Sequence, residues 1–187
     1  MRSEFRPALV LLACLTLLTG IAYPLVVTGL AHTLMPDQAQ GSLIVQDGKV
    51  LGSHLIGQCW DDPRWFWGRP SATGCNAPAS SGSNLGPTNP VLREAVARRI
   101  ARLRTADPTA SGPVPIDLVT TSASGLDPDL SPEAVHFQVH RVAVARGMTD
   151  DALRALVDAH VQRRWLGLIG EAHVNILDLN LALQQRK

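Results

Sequence analysis

Apolar and polar positions follow three different rhythms along this chain. From Ala8 to Leu30 the residues are almost all aliphatic, and no Asp, Glu, Lys or Arg occurs between Pro7 and Pro36. At 1.5 Å per residue such a run reaches about 35 Å as a helix, enough to cross a hydrocarbon core of about 30 Å. It predicts a transmembrane helix over residues 8–34. Pro24 lies inside it and predicts a kink, with the freed carbonyl near Gly20 answered by neighbouring helices or by the Thr16 and Thr19 hydroxyls. Gly20, Gly29 and Thr28 add small or hydroxylated positions of the kind that lets membrane helices approach closely. Past residues 35–42, read as a linker, β-prone runs at 43–46 and 49–51 flank Asp47-Gly48, a strong hairpin signal. Residues 53–89 lose all periodicity and become rich in Gly, Ser, Pro and Asn. The helical period returns after Asn89-Pro90, where Leu92, Val96, Ile100 and Leu103 form one stripe over 90–104. Ser131-Pro132 starts a second helix, which runs to Arg146-Gly147, and Thr149 or Asp150 caps a third through about Arg164. Ile116–Thr120 reads as a short strand, and Val174–Leu183, which alternates over part of its length, as another.

The organisation that follows is a short N-terminal segment (1–7), the span (8–34), a linker (35–42) and one small domain (43–187). Helices and strands do not alternate regularly there, so the class is α+β rather than a doubly wound sheet. Arg2 and Arg6 precede the span and the next basic residue is Lys49, so the N-terminus is expected in the cytoplasm and the domain outside. The competing reading is a cleaved signal peptide, for which Ala39-Gln40-Gly41 offers a small-residue site. The apolar run is about twice the usual 7–15 residue core of a signal peptide, which favours the anchor. The chain is 187 residues long with 17 basic and 16 acidic side chains. Beyond the span these balance, leaving no basic footprint for nucleic acid.

The residues carry no catalytic, nucleotide or metal signature of high specificity. Gly82–Asn89 (GSNLGPTN) is glycine-rich before a helix N-terminus, where free amides can hold an anion, yet it lacks the lysine of a P-loop and serves equally as a surface loop. His136 and His140 stand four apart, a metal-binding spacing without a third ligand nearby. Asp127 and Asp129 follow a turn and offer negative charge to a cation. No G-x-S-x-G elbow frames a serine nucleophile. In Trp60–Ala72 (WDDPRWFWGRPSA), Trp65, Phe66 and Trp67 stand with Arg64 and Arg69, the composition of an interface core, though the same rings suit the domain's own core. A stand-alone, membrane-anchored periplasmic enzyme or ligand-binding domain built on His136, His140 and Asp127 is the rival reading.

Taken in order, GSLI (41–44), LIGQ (55–58), FWGRPSA (66–72), SGSNLGPTNP (81–90), DLVTTSASGLDPDLSPEA (117–134), the Gln138–Gly147 segment and VNILDLNLAL (174–183) resemble the C subunit of Kdp, the bacterial potassium-transporting P-type ATPase. The resemblance implies an accessory subunit in the inner membrane, with a channel-like A subunit carrying potassium, a P-type B subunit hydrolysing ATP and a small F subunit as partners. The absence of a DKTGT phosphorylation motif here agrees with that division of labour. The family is described as a catalytic chaperone for ATP binding, which would bring nucleotide to Gln138 and to the Ser81, Gly82, Ser83 loop; the topology expected here argues instead for a scaffold or a cap at the outer potassium entrance. No cofactor is expected on this chain alone. Interface residues with the partner subunits are expected at Trp65, Phe66, Trp67, Arg69, Asn84, Asn89 and Asp127.

The chain departs from the family pattern at Cys59 and Cys75, usually aromatic positions, and at His140, often proline. Cys14 lies in the span, so Cys59 and Cys75 are the only thiols of the outer domain. An oxidising compartment would pair them; buried free thiols acting as small hydrophobes are the alternative.

Overall fold

The computed structural model describes residues 2–186. The chain forms two compact units, Met1–Ser53 and His54–Lys187.

The first unit is led by the apolar helix. Residues Glu4–Leu34 form 31 consecutive helical positions, long and apolar enough to cross a membrane, and none of their most apolar stretch is buried by the chain itself. The helix runs as α1 (Arg2–Leu17), a π-helical turn at Leu18–Ala22 and α2 (Tyr23–Leu34). The π turn is how the backbone accommodates Pro24. Proline supplies no amide, and its ring blocks the carbonyl four residues back, so the ladder re-spaces just before it and the Tyr23 amide donates to the Leu18 carbonyl, five residues away. Thr19 Oγ1 donates to the Leu15 carbonyl at 2.7 Å, as a hydroxyl in lipid should. The expected linker holds one helical turn, α3 (Pro36–Ala39). Strands β1 (Leu43–Gln46) and β2 (Lys49–Ser53) pair antiparallel with a bulge between Ile44 and Val45. Asp47 and Gly48 have φ of 51° and 74°, the two positive values a tight hairpin turn requires. By packing, this hairpin groups with the helix unit rather than with residues 54–187.

The second unit is helices packed around an irregular chain. Helix α4 (Pro90–Ala106) starts where Asn89 caps it by accepting from the Val91 amide. The helix expected over 131–146 is two helices, α5 (Pro132–His136) and α6 (Val139–Arg146), with Phe137 and Gln138 at the junction. Ser131 caps the first by accepting from the Ala134 amide, and Gly147, at φ 67°, ends the second. Helix α7 (Asp150–His160) begins at the Thr149 cap and stops four residues before the expected end. Leu153, Leu156 and Val157 bury its inner stripe.

Two expected strands are not strands. Ile116–Leu118 is a 3-10 turn, held where the Thr120 amide and hydroxyl both donate to the Ile116 carbonyl. In the C-terminal run only β4 (Val174–Asn175) is extended, pairing with β3 (Asp129–Leu130), and Ile176–Gln184 is helix α8. Asn175 explains the switch: its side chain accepts from the Asp178 amide and caps a helix. The buried set Ile176, Leu179, Asn180 and Leu183 has helical spacing, which the partial alternation concealed. The class is α+β, with the core formed by α5–α8 closing over Phe66 and Trp67.

Candidate functional site

The segment Trp65-Phe66-Trp67 occupies the middle of this core without belonging to any strand. Its peptide groups are buried there and must still find partners. Two side-chain amides supply them. Asn180 of α8 accepts from the Phe66 amide and donates to the Phe66 carbonyl, both at 3.0 Å. Gln138, at the α5–α6 junction, accepts from the Trp67 amide at 2.9 Å and donates to the Trp67 carbonyl at 3.0 Å. Two consecutive residues are thus gripped as a neighbouring strand would grip them. Gln138 is 1% exposed and makes two more bonds, donating to the Ala134 carbonyl at 3.3 Å and accepting from Arg141 Nη2 at 2.6 Å. Both donors and both acceptor positions of its amide are occupied.

Guanidinium groups complete the arrangement. Arg141 and Arg102 stack on the Trp67 ring at 4.1 and 4.4 Å from its centroid, and Arg146 stacks on Trp65 at 4.3 Å. Arg141 Nη1 also donates to the carbonyls of Pro63 and Trp65. Burial pushes the Arg141 guanidinium down to about 10, which leaves it protonated at neutral pH. At the start of the segment, hydrogen bonds from Arg64 lower the Asp62 carboxyl to about 2, and the Asp62 carbonyl accepts from Trp67 Nε1. Cys59 and Cys75 are joined as a disulfide across a Cα separation of 5.8 Å, bracketing the whole segment.

For Phe66 and Trp67 the sequence left an interface and the domain's own core both open, and the structure seats both in the core. Both rings fill the apolar space enclosed by α5–α8. Trp65 is half-buried against the same core. Arg69 instead forms an ion pair with Asp127 at 3.0 Å, and Asp127 accepts the Asp129 amide. Asn84 is exposed at φ 51°, and Asn89 is the cap of α4.

The two glycine-bearing loops meet each other. Ser80 Oγ donates to the Ser124 carbonyl, Thr121 Oγ1 donates to Ser83 Oγ, and Ser81 Oγ turns back to the Gly82 carbonyl. A Cβ on Gly82 would lie 2.9 Å from the Ala123 carbonyl oxygen, and one on Gly125 (φ 67°) 2.6 Å from the Ser81 carbonyl oxygen. Glycine is required at both for the backbones to approach. Gly125→Ala is therefore expected to cost about 3 kcal/mol, from positive-φ strain plus the backbone clash, read as a lower urea midpoint with unchanged slope. Gln138 shares no hydrogen-bond partner with Ser81–Ser83. His136 and His140 line one cavity of about 220 Å³, but each faces its own carboxylate: His136 Nε2 faces Asp158 at 3.0 Å and His140 Nδ1 faces Asp150 at 3.1 Å. Among the described residues no three His, Cys, Asp or Glu side chains are grouped to hold a metal ion.

Sequence reasoning missed Asn180, hidden by the strand assigned to its segment, and the stacked arginines of α4 and α6. The usable signal was a polar residue in the buried register of an apolar helix.

Residues 5–185 match the family model described as "K+-transporting ATPase, c chain". The chain is 58% identical over 186 residues to the potassium-transporting ATPase KdpC subunit of Sorangium cellulosum (strain So ce56), covering 98% of both. It is likewise 58% identical over 190 residues to that of Polaromonas naphthalenivorans (strain CJ2), covering all of this chain and 97% of the relative. With the subunit of Herpetosiphon aurantiacus it shares 54% identity over 100% of this chain and 98% of that one. A match of this extent makes the chain a member of the family of K+-transporting ATPase c chains.

Proposed function

We propose that this chain is a non-catalytic, assembly-stabilising subunit of an ATP-driven potassium import complex, with its N-terminus in the cytoplasm and its folded domain on the periplasmic side, where it caps the outer potassium entrance. Its partners are the channel-like, P-type and small subunits of that complex; it holds no cofactor, and ATP and potassium are handled by the others. The observation that carries this reading is the state of Gln138: a buried side chain whose four hydrogen-bonding positions are all taken by its own chain has none left for a nucleotide. In the Ser81–Ser83 loop the Ser83 hydroxyl accepts from Thr121 and the Ser81 hydroxyl turns back to the Gly82 carbonyl.

Charge supports a surface that favours cations over ATP. A cleft of about 650 Å³ is lined by Asp117, Asp127, Asp129, Glu133 and Glu171 against Arg69, Arg164 and His173. Its negative balance raises the local cation concentration and repels a polyanion.

A photoreactive ATP analogue tests the reading on the assembled ATPase. Labelling of the P-type subunit with none on this chain is expected. Saturable labelling of this chain at Gln138 or Ser81–Ser83, competed by ATP, would favour the chaperone role instead.

A further inference from the structure

The most exposed apolar surface of the second unit is a hairpin tip that the function above does not use. Trp165, Leu166, Leu168 and Ile169 are 66%, 75%, 83% and 61% exposed, four large apolar side chains in five consecutive positions. Their position is built. Trp165 and Ile169 exchange both backbone bonds, the Trp165 amide donating at 2.8 Å and the Ile169 amide at 3.0 Å, and the Leu168 amide donates back to the Trp165 carbonyl. Gln162 and His173 pair in the same way below them. The turn places Leu166 at φ 51° and Gly167 at φ 75°. Turns with two such residues favour Asn-Gly or Asp-Gly, and this chain uses Asp47-Gly48 at its other hairpin. Here a leucine stands in the left-handed conformation at the outermost point, against both backbone preference and solvation.

We propose that this tip, residues 165–169, is an interfacial membrane anchor that dips into the lipid leaflet facing the domain. The order of side chains fits a bilayer boundary: leucines and isoleucine at the tip, the amphipathic Trp165 beside them, and at the base, where phospholipid phosphates lie, Arg163 next to Arg164, which is paired with Glu171. The size fits lipid better than protein. The four side chains expose on the order of 500 Å², short of the roughly 800 Å² per partner of a stable protein interface. The proposal rests on the span being retained in the membrane, and not on which side the domain occupies.

The test uses the full chain, and separately the assembled ATPase, reconstituted into phosphatidylcholine/phosphatidylglycerol vesicles with lipids brominated near the top of the acyl chain. Wild-type tryptophan emission is expected to be quenched, and Trp165→Phe to lose most of that quenching in both preparations. Leu168→Asp should lower the quenching at least twofold without moving the melting temperature, since Leu168 is 83% exposed. Equal quenching in wild type and Trp165→Phe would overturn the proposal. So would quenching of the lone chain that disappears in the assembled ATPase, because the tip would then be covered by another subunit. A failure of the span to be retained reads differently: the chain would not stay with the vesicles at all.

Discussion

Replacing Gln138 with leucine is expected to lower the stability of the folded domain by about 4 kcal/mol. The substitution keeps the volume and removes the amide, so the Trp67 N–H and C=O stay buried with no partner, at about 1–3 kcal/mol each. Arg141 also loses an acceptor while remaining charged and largely buried. Asn180→Leu should cost a similar amount through the Phe66 peptide groups. The double variant should lose less than the sum, because both amides hold one segment and freeing it once lets water reach its neighbour. Urea denaturation of the full chain in detergent, followed by tryptophan emission, measures all three. In the assembled ATPase the same variants should reduce the amount of complex recovered while leaving the KM for ATP of the surviving complex unchanged. A raised KM at normal recovery would show that Gln138 meets nucleotide.

Breaking the Cys59–Cys75 bridge should be the next most costly change. Its 5.8 Å Cα separation is ordinary for a disulfide, and a 16-residue loop stabilises by about 3 kcal/mol in the chain-entropy account. The loop holds the clamped segment, so constraining it also restricts the unfolded alternatives of Trp65–Trp67. Cys75 is presented by a local turn, in which Ser71 Oγ accepts from the amides of both Thr73 and Cys75. The variant with serine at both positions is expected to melt about 10 °C lower, and wild type with reductant to match it. Alkylation before and after reduction, read by mass spectrometry, checks the bond itself: both thiols should be blocked until reduced, and free thiols in unreduced protein would contradict the pairing.

What the sequence revealed depended on how local the determinant was. The Asp47-Gly48 hairpin, the Asn89, Ser131 and Thr149 caps and the Gly147 stop are set by neighbouring residues, and each stands at its expected position. The strand expected at 174–183 failed because Asn175 could be an alternating polar residue or a cap, and only the pairing of Val174 with Leu130 ends the strand there. The break between α5 and α6 was invisible for a similar reason: Gln138 is at that junction to reach Trp67, 71 positions away in the chain. Phe66 and Trp67 had the composition of an interface, and their burial follows from long-range packing that composition does not encode. The family was legible from segment order; the clamp that those segments build was not.

The proposed placement of the domain outside the membrane, away from ATP, is tested most directly by adding protease to spheroplasts expressing the chain with a tag at each end. The account predicts that the C-terminal tag is lost while an N-terminal fragment containing the uncleaved span persists in the membrane. A C-terminal tag protected until the membrane is broken, or a mature N-terminus near Ser42, would contradict it.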